Sequence, residues 1–221
     1  KVTPQQYVDT MVSHFYRLCD AYSISYDKFI RTTDKDHIDY CQKGLKEVYK
    51  NGDIYKDVYE GLYCVDCETY YTESELVDGK CPSHLRQCEH MKEESYFFRM
   101  SKYQDQLLDY IEKNPDFIQP SYRKNEVVSF VKSGLRDLSI SRTSFKWGIP
   151  VPGDERHVIY VWFDALVSYI STLGWPEHTD ALEKFWGTKE SPRAIQLGGK
   201  DQIRQQSAMW QAMLMSAGLP P

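Results

Sequence analysis

The feature that most restricts this chain is a group of thiols and imidazoles between residues 64 and 90. "YCVDC" supplies Cys64 and Cys67, and "CPSHLRQCEH" supplies Cys81, His84, Cys88 and His90. Two cysteines with two residues between them sit on one tight turn and can aim both thiolates at a single ion at tetrahedral angles. The order C-x2-C, thirteen residues, C-x2-H is close to the spacing of a zinc knuckle, and zinc suits a mixed set of thiolate and imidazole ligands. The spacing predicts Cys64, Cys67, Cys81 and His84 as ligands. Cys88 is a rival for the fourth place, because Cys81-x6-Cys88 also reaches. Four protein ligands leave no open position, so the site reads as structural. The alternatives are two disulfides or unrelated thiols. Six cysteines in 221 residues are few for a secreted disulfide scaffold and point to a reducing compartment, the cytoplasm or an organellar matrix. Cys19 and Cys41 fall in helical patterns and read as small buried thiols.

A knuckle needs a larger body to sit on, and the composition supplies one. Hydrophobic residues make up 41 % of the chain and aromatic residues 14 %, with 17 Tyr, enough for a packed core. A net charge of −5 argues against a non-specific nucleic-acid surface and leaves room only for a local patch. No apolar run reaches the ~18 residues of a membrane span, so none is expected. The first residues contain neither an initiator Met nor a signal-peptide core, which suggests a piece of something longer or a processed product.

Residues 4–22 predict a helix, with Pro4 in its first turn and Tyr7, Met11, Phe15 and Leu18 on one face. "ISYDKFIRTT" (24–33) alternates like a strand. A second helix runs from Thr33 or Asp34 to Gly52. Residues 53–100 change texture to short aromatic strands around the cysteines. Helices then follow from Ser101, read as a cap, and from Ser121 to Gly134, with prolines 115 and 120 between them. In "HVIYVWFDALVSYISTLG", Val158–Phe163 fits a strand buried on both faces and Asp164–Leu173 a helix ended by Gly174. "RAIQLGG" reads as one more strand. The recurrence of strand, loop and helix predicts a parallel α/β sheet, with ligands at the carboxyl ends of its strands, near Trp162–Asp164 and Gly198–Asp201.

Trp162 and Tyr169, seven residues apart, are candidates for an apolar side-chain pocket or for plain core. "LGGKD" allows close backbone approach at its glycines. Asp201 reads as a helix cap or as a ligand for an ammonium group or sugar hydroxyls. No Walker-type G-x-x-x-x-G-K-[ST] occurs. Arg142, in "SISRT", is placed in a loop.

Several stretches together resemble one family, methionyl-tRNA synthetase, a class I aminoacyl-tRNA synthetase of bacterial or organellar type. They include "SYDKFIRTTDKDH", "GDIYKDVYEGLYCVDCETYYTESEL", "KEESYFFRMSKY", "NPDFIQPSYRKNEV", "GLRDLSISRTSFKWGIPVPGD", "YVWFDALVSYI" and "GKD…AMLMSAGLP", in the family's order along nearly the whole chain. The resemblance implies a Rossmann-type catalytic domain, partial here, with residues 1–52 ending its first half and 118–221 forming its second. Between them, 53–117 would be a β-rich connective insert carrying the zinc knuckle. It also implies an ATP- and magnesium-dependent ligase that activates methionine and transfers it to tRNA. Trp162 and Tyr169 match residues that shape the methionine pocket. Gly199 and Asp201 match the strand end that contacts the amino acid and adenosine.

Two departures stand out. The HIGH-type and KMSKS-type motifs, which bind ATP phosphates in class I synthetases, occur nowhere in this chain. Losing preorganised groups of that kind typically lowers rate by ~10²–10³ each, so the chain alone is expected not to be a competent ligase. The closing helix also differs. Gln196, Gly198, Gln202, Gln205, Gln206, Met209 and Gln211 stand where the family has H, I, I, F, H, Y and P, and Gln205 and Gln206 replace an aromatic and a histidine of the methionine pocket. Gln202, Gln206, Met209 and Met213 share one helical face and Ile203, Trp210, Leu214 and Ala217 another. One reading is an engineered or rebuilt fragment made soluble by glutamine. The other is a degenerate, zinc-stabilised synthetase-like protein that only binds or supports.

Overall fold

The computed structural model describes residues 2–66, 69–188 and 190–221. Helix α1 (Pro4–Ala21) opens with a capping box, in which the Thr3 hydroxyl accepts from the Gln6 N–H while the Gln6 side chain accepts from the Thr3 N–H. Its apolar face buries nothing fully. Phe15 and Leu18 are about half exposed, and Tyr16 packs on Phe29 with ring centroids 4.7 Å apart. The segment expected as a strand at 24–33 is a loop instead, held to α1 by this ring contact and by Arg31 on Asp9 at 2.6 Å. Its alternation reflects aromatic contacts with a helix and not a sheet.

Helix α2 (Lys35–Lys50) lies in the core, and its Gly44 touches the Trp175 ring so closely that an added Cβ would come within 2.3 Å of it. Strands β1 (Ile54–Cys64) and β3 (Glu89–Phe98) then form a long antiparallel ribbon, from Ile54↔Phe98 at the core end to Tyr63↔Glu89 at the cysteine end. Strand β2 (Thr69–Tyr71) borders β1, and β4 (Leu138–Ser139) borders β3. At the root of the ribbon Asp53 is 1 % exposed and accepts from Lys102 Nζ at 2.6 Å, Ser216 Oγ at 2.8 Å and the Tyr103 hydroxyl. Burial pushes its carboxyl up, but these donors outweigh burial and hold it below the ordinary value.

A 3-10 turn (Met100–Tyr103) leads into α3 (Gln104–Lys113). Ser101 is therefore not that helix's cap; its N–H and hydroxyl both donate to Asp137. Helix α4 (Ser121–Lys132) follows, then a second sheet of β5 (Ser141–Arg142), β6 (Pro150–Val151) and β7 (Asp154–Ile159) in the order β5-β7-β6. Helix α5 (Val161–Ser171) starts directly after Tyr160, and α6 (Asp180–Phe185) comes next. The last elements are a π-helical turn (Gln205–Met209) and α7 (Trp210–Ser216).

Every strand pairing among the described residues is antiparallel, so these residues do not build the expected parallel, Rossmann-type sheet. Two local reasons account for the difference. The apolar run divides at Tyr160 rather than Phe163: Val158 and Ile159 pair in β7, while Trp162 and Phe163 are already helical. "RAIQLGG" follows an irregular path in which the Arg193 and Ala194 N–H groups both bond the Trp186 carbonyl, leaving Ile195 and Leu197 88 % and 90 % exposed. Among the described residues no helix is long and apolar enough to cross a membrane.

Candidate amino-acid pocket and knuckle

Helix α5 carries two pairs of residues seven apart, about two helical turns. Asp164 and Ser171 form one pair. Both bind the imidazole of His37, which reaches from α2: Nε2 lies 2.7 Å from Asp164 Oδ1 and Nδ1 2.8 Å from Ser171 Oγ. Each pair is internally in register, and the other pair, Trp162 and Tyr169, falls on the far side of the helix at ~100° per residue. His37 is 1 % exposed and Cys41, one turn along α2, is completely buried, which pushes its thiol well above the usual range. Sequence reasoning missed His37; the seven-residue spacing of Asp164 and Ser171 on α5 is the signal that could have pointed to a shared partner.

Tyr169 is half-buried and meets the closing helix in two ways. Its ring lies 6.1 Å from that of Trp210, and its hydroxyl accepts from Gln206 Nε2 at 2.9 Å. Gln206 belongs to the π-helical turn, a feature that recurs at functional sites. The side-chain oxygens of Gln196, Gln205, Gln206 and Gln211 are all buried without a hydrogen-bond partner, an arrangement rare enough in proteins to ask for a cause. Gln196, Gly199, Gln206 and Gln211 line one cavity of about 810 Å³, together with Tyr110 and Arg193.

The cavity sorts the expected site residues. Gly199 and Gln206 line it, and Tyr169 touches Gln206 from behind. Gln205 is half-buried beside it without lining it, and Trp162 packs partly buried on the core. Asp201 is exposed and caps nothing; its carboxylate folds back until Oδ1 is 2.6 Å from where a Cβ on Gly199 would stand. Arg142 is not in a loop. It sits on β5 at 3 % exposure, its guanidinium 4.3 Å from the centre of the Tyr160 ring and donating to Ser139 Oγ at 2.9 Å and the Ser141 carbonyl at 2.8 Å.

At the other end of the β1–β3 ribbon, Cys64, Cys81 and His84 come together with all three ligand atoms within 4.8 Å of one another. The His84 Nδ1 is 3.9 Å from Cys64 Sγ and 3.8 Å from Cys81 Sγ. Local turns gather them. Asp78 and Gly79 take positive φ of 50° and 72°, the hairpin geometry their sequence favours, and Val77 and Lys80 close it with bonds of 2.9 and 3.0 Å. Cys67 lies outside the described residues. Cys88 stands beside the same pair: burial first, and then the neighbouring Cys64 and Cys81 thiols, raise its thiol above the ordinary value. His90 points elsewhere, 3.6 Å from Glu60. The described cysteines are all free thiols, so no disulfide forms among them.

The profile of the family described as "tRNA synthetases class I (M)" matches residues 1–91 and 85–221. A methionine–tRNA ligase of Clostridium acetobutylicum is 54 % identical over 99 % of this chain, and one of Thermotoga maritima is 45 % identical over 98 %. The chain spans about a third of the length of these relatives, 34 % in both cases. Among solved structures, Mycobacterium tuberculosis methionyl-tRNA synthetase in complex with methionyl-adenylate superposes with a TM-score of 0.85 at 45 % identity, covering 93 % of this chain and 40 % of that one.

Proposed function

The chain belongs to the class I tRNA synthetases of the methionyl type, and from that premise we propose that it supplies the amino-acid wall and the connective insert of a catalytic region that activates methionine with ATP and magnesium and passes it to tRNA. The observation that carries this reading is the junction of Tyr169 on α5 with Gln206 in the π-helical turn. Two stretches distant in sequence meet there, and both fall at positions the family uses for its methionine pocket, with Gln206 in place of a histidine. Gly199 lines the same cavity, Trp162 shares the Tyr169 face of α5 while packing on the core, and Gln205 stands where the family places an aromatic ring. Asp201, free of other partners and exposed at the chain's approach to the cavity, is the group for an amino-acid ammonium or a ribose hydroxyl.

The knuckle residues suit zinc. Cys64 and Cys81 are buried thiols set beside the His84 imidazole, a donor set of the soft and borderline kind that zinc takes. Zinc would be held by these three with Cys67 or Cys88 as the fourth ligand. It would lock the tip of the insert and take no part in the reaction. Residues 1–52, 53–117 and 118–221 then serve as the end of the first catalytic half, the insert and the second half. Residues 193–199, irregular here with Ile195 and Leu197 bare, would supply a strand of a Rossmann-type sheet if further polypeptide paired with them. A reducing cytoplasm fits the free thiols.

These 221 residues contain neither a HIGH nor a KMSKS motif, and by themselves they should not perform adenylation. A second reading, a zinc-stabilised synthetase-like protein that only binds or supports, is favoured by the unpartnered glutamine oxygens in the pocket wall. Methionine-dependent pyrophosphate–ATP exchange by the purified chain tests the first point: background exchange is expected, and exchange well above background overturns it. Titration calorimetry with methionine separates the two readings, since only a retained amino-acid site releases heat.

A further inference from the structure

We propose that Cys88 is a spare thiol of the knuckle, a site of oxidation by hydrogen peroxide that ends in a Cys64–Cys88 disulfide and takes Cys64 away from the metal. The thiol pair follows from the fold; only the loss of metal rests on the reading of the knuckle as a zinc site. Strands β1 and β3 pair without a break from Ile54↔Phe98 to Tyr63↔Glu89. One step further along that register stand Cys64, the last residue of β1, and Cys88, the residue just before β3. Directly opposed residues of an antiparallel pair have Cα atoms ~4.5–5.5 Å apart, inside the ~4.4–6.8 Å that a disulfide spans. The side chains agree with the backbone, since the Cys64 thiol acts directly on that of Cys88. Cys88 is nevertheless outside the group of Cys64, Cys81 and His84, whose ligand atoms lie within 4.8 Å of one another. It is placed to bond a ligand without being one.

Exposure divides the roles. Cys64 and Cys81 are buried, whereas Cys88 is half-buried and is the thiol that a solute reaches first. Cys81 lies in the connection from β2 to β3, with its sulfur 3.7 Å from the Tyr71 hydroxyl, and has no opposed partner in the β1–β3 register. The Cys88 thiol attacks one oxygen of the peroxide, the O–O bond breaks, and water leaves as the sulfenic acid forms on Cys88. The Cys64 sulfur then attacks the Cys88 sulfur and the S–OH bond breaks. The departing hydroxide takes up a proton, from the Cys64 thiol in the metal-free chain or from solvent when zinc is bound. The two sulfurs lose one electron pair between them and the peroxide gains it. The chain then lacks a thiolate ligand and releases the ion. Small-molecule thiols reverse the bond by exchange.

The test treats the purified, zinc-loaded chain with hydrogen peroxide, maps disulfides by mass spectrometry of unreduced peptides, and follows free zinc with a chromogenic chelator. A Cys64–Cys88 cross-link is expected, with zinc entering solution as it forms and rebinding after dithiothreitol once the chelator is removed. Cys88→Ser should keep stoichiometric zinc before treatment and lose the cross-link. The map of the wild-type chain stands whether or not that variant folds. No cross-link, or one between other cysteines, Cys67 included, overturns the pairing. Zinc lost from folded Cys88→Ser before any oxidation makes Cys88 a ligand and overturns its spare role. A chain that takes up no zinc defeats the zinc reading alone, because the metal-free chain should still form the Cys64–Cys88 bond, and its absence there overturns this inference.

Discussion

The two ends of the molecule treat their polar groups in opposite ways. At the knuckle, Cys64, Cys81 and His84 are drawn from a short span of chain and placed within reach of one another, so that one ion would satisfy them all. At the cavity near the π-helical turn, Gln196, Gln206 and Gln211, with Gln205 beside it, hold side-chain oxygens that have no hydrogen-bond partner among the described residues. The knuckle is a local solution written in spacing. The cavity wall is a packed framework, with Trp210 at 1 % exposure against Tyr169 and Trp186, that carries these polar side chains. Between them stands Asp53, where a buried carboxylate has a full set of donors. Burying polar groups is thus tolerable at either end, but only partners within the fold turn it into stability.

The comparison can be broken most forcefully at the knuckle. Cys64→Ala or Cys81→Ala should abolish stoichiometric zinc, read by mass spectrometry, and open residues 60–90 to protease. Structural zinc contributes on the order of 10 kcal/mol in isolated fingers, so the local loss should be complete. Asp53→Ala comes next. Removing a buried acceptor that serves Lys102, Tyr103 and Ser216 should lower stability by about 2–3 kcal/mol in denaturant melts. Because the folded protein holds this carboxyl below its ordinary value, its contribution is complete above the usual carboxylate range and is lost as pH falls through the lowered folded value. The variant should accordingly show a flatter loss of stability in acid than the wild type.

Gln205→Leu should move stability the other way, upward by up to about 1 kcal/mol, because an apolar group replaces an unpartnered oxygen. A fall would mean that Gln205 has a role the comparison misses. The smallest effect is on solubility: Gln205→Phe with Gln206→His should lower it if the glutamines were placed to keep this face in water, and unchanged solubility counts against that origin.

Much of this was legible in the sequence where information is local. The cysteine spacing marked the cluster of Cys64, Cys81 and His84, the periodic face of 4–22 marked α1, and cap or stop residues around 33–52 and 121–134 marked α2 and α4. Strand direction was not legible. An apolar run such as Val158–Leu173 has no period to show where β7 stops and α5 begins, and nothing in "RAIQLGG" tells that no neighbour within these residues pairs with it. The contact of Tyr169 with Gln206 joins two stretches that the sequence marks as candidates, whereas the place of Gln211 and Gln196 in the cavity wall is set by the fold and has no local signature. His37 and Arg142 stayed hidden because a lone polar residue does not announce that partners from distant segments will enclose it.

The His37 strut has a consequence for how this site can adapt. One ring bonded to Asp164 and Ser171, two turns apart on α5, acts like a key in a shaft: the helix cannot roll about its axis without breaking both bonds together. The azimuth of Tyr169 is thereby set before any guest arrives. The opposite wall is wound as a π-turn from Gln205 to Met209, with a looser hydrogen-bond register. Accommodation to guests of different shape falls to that wall, and differences in specificity among proteins built this way should gather there while the keyed helix stays still.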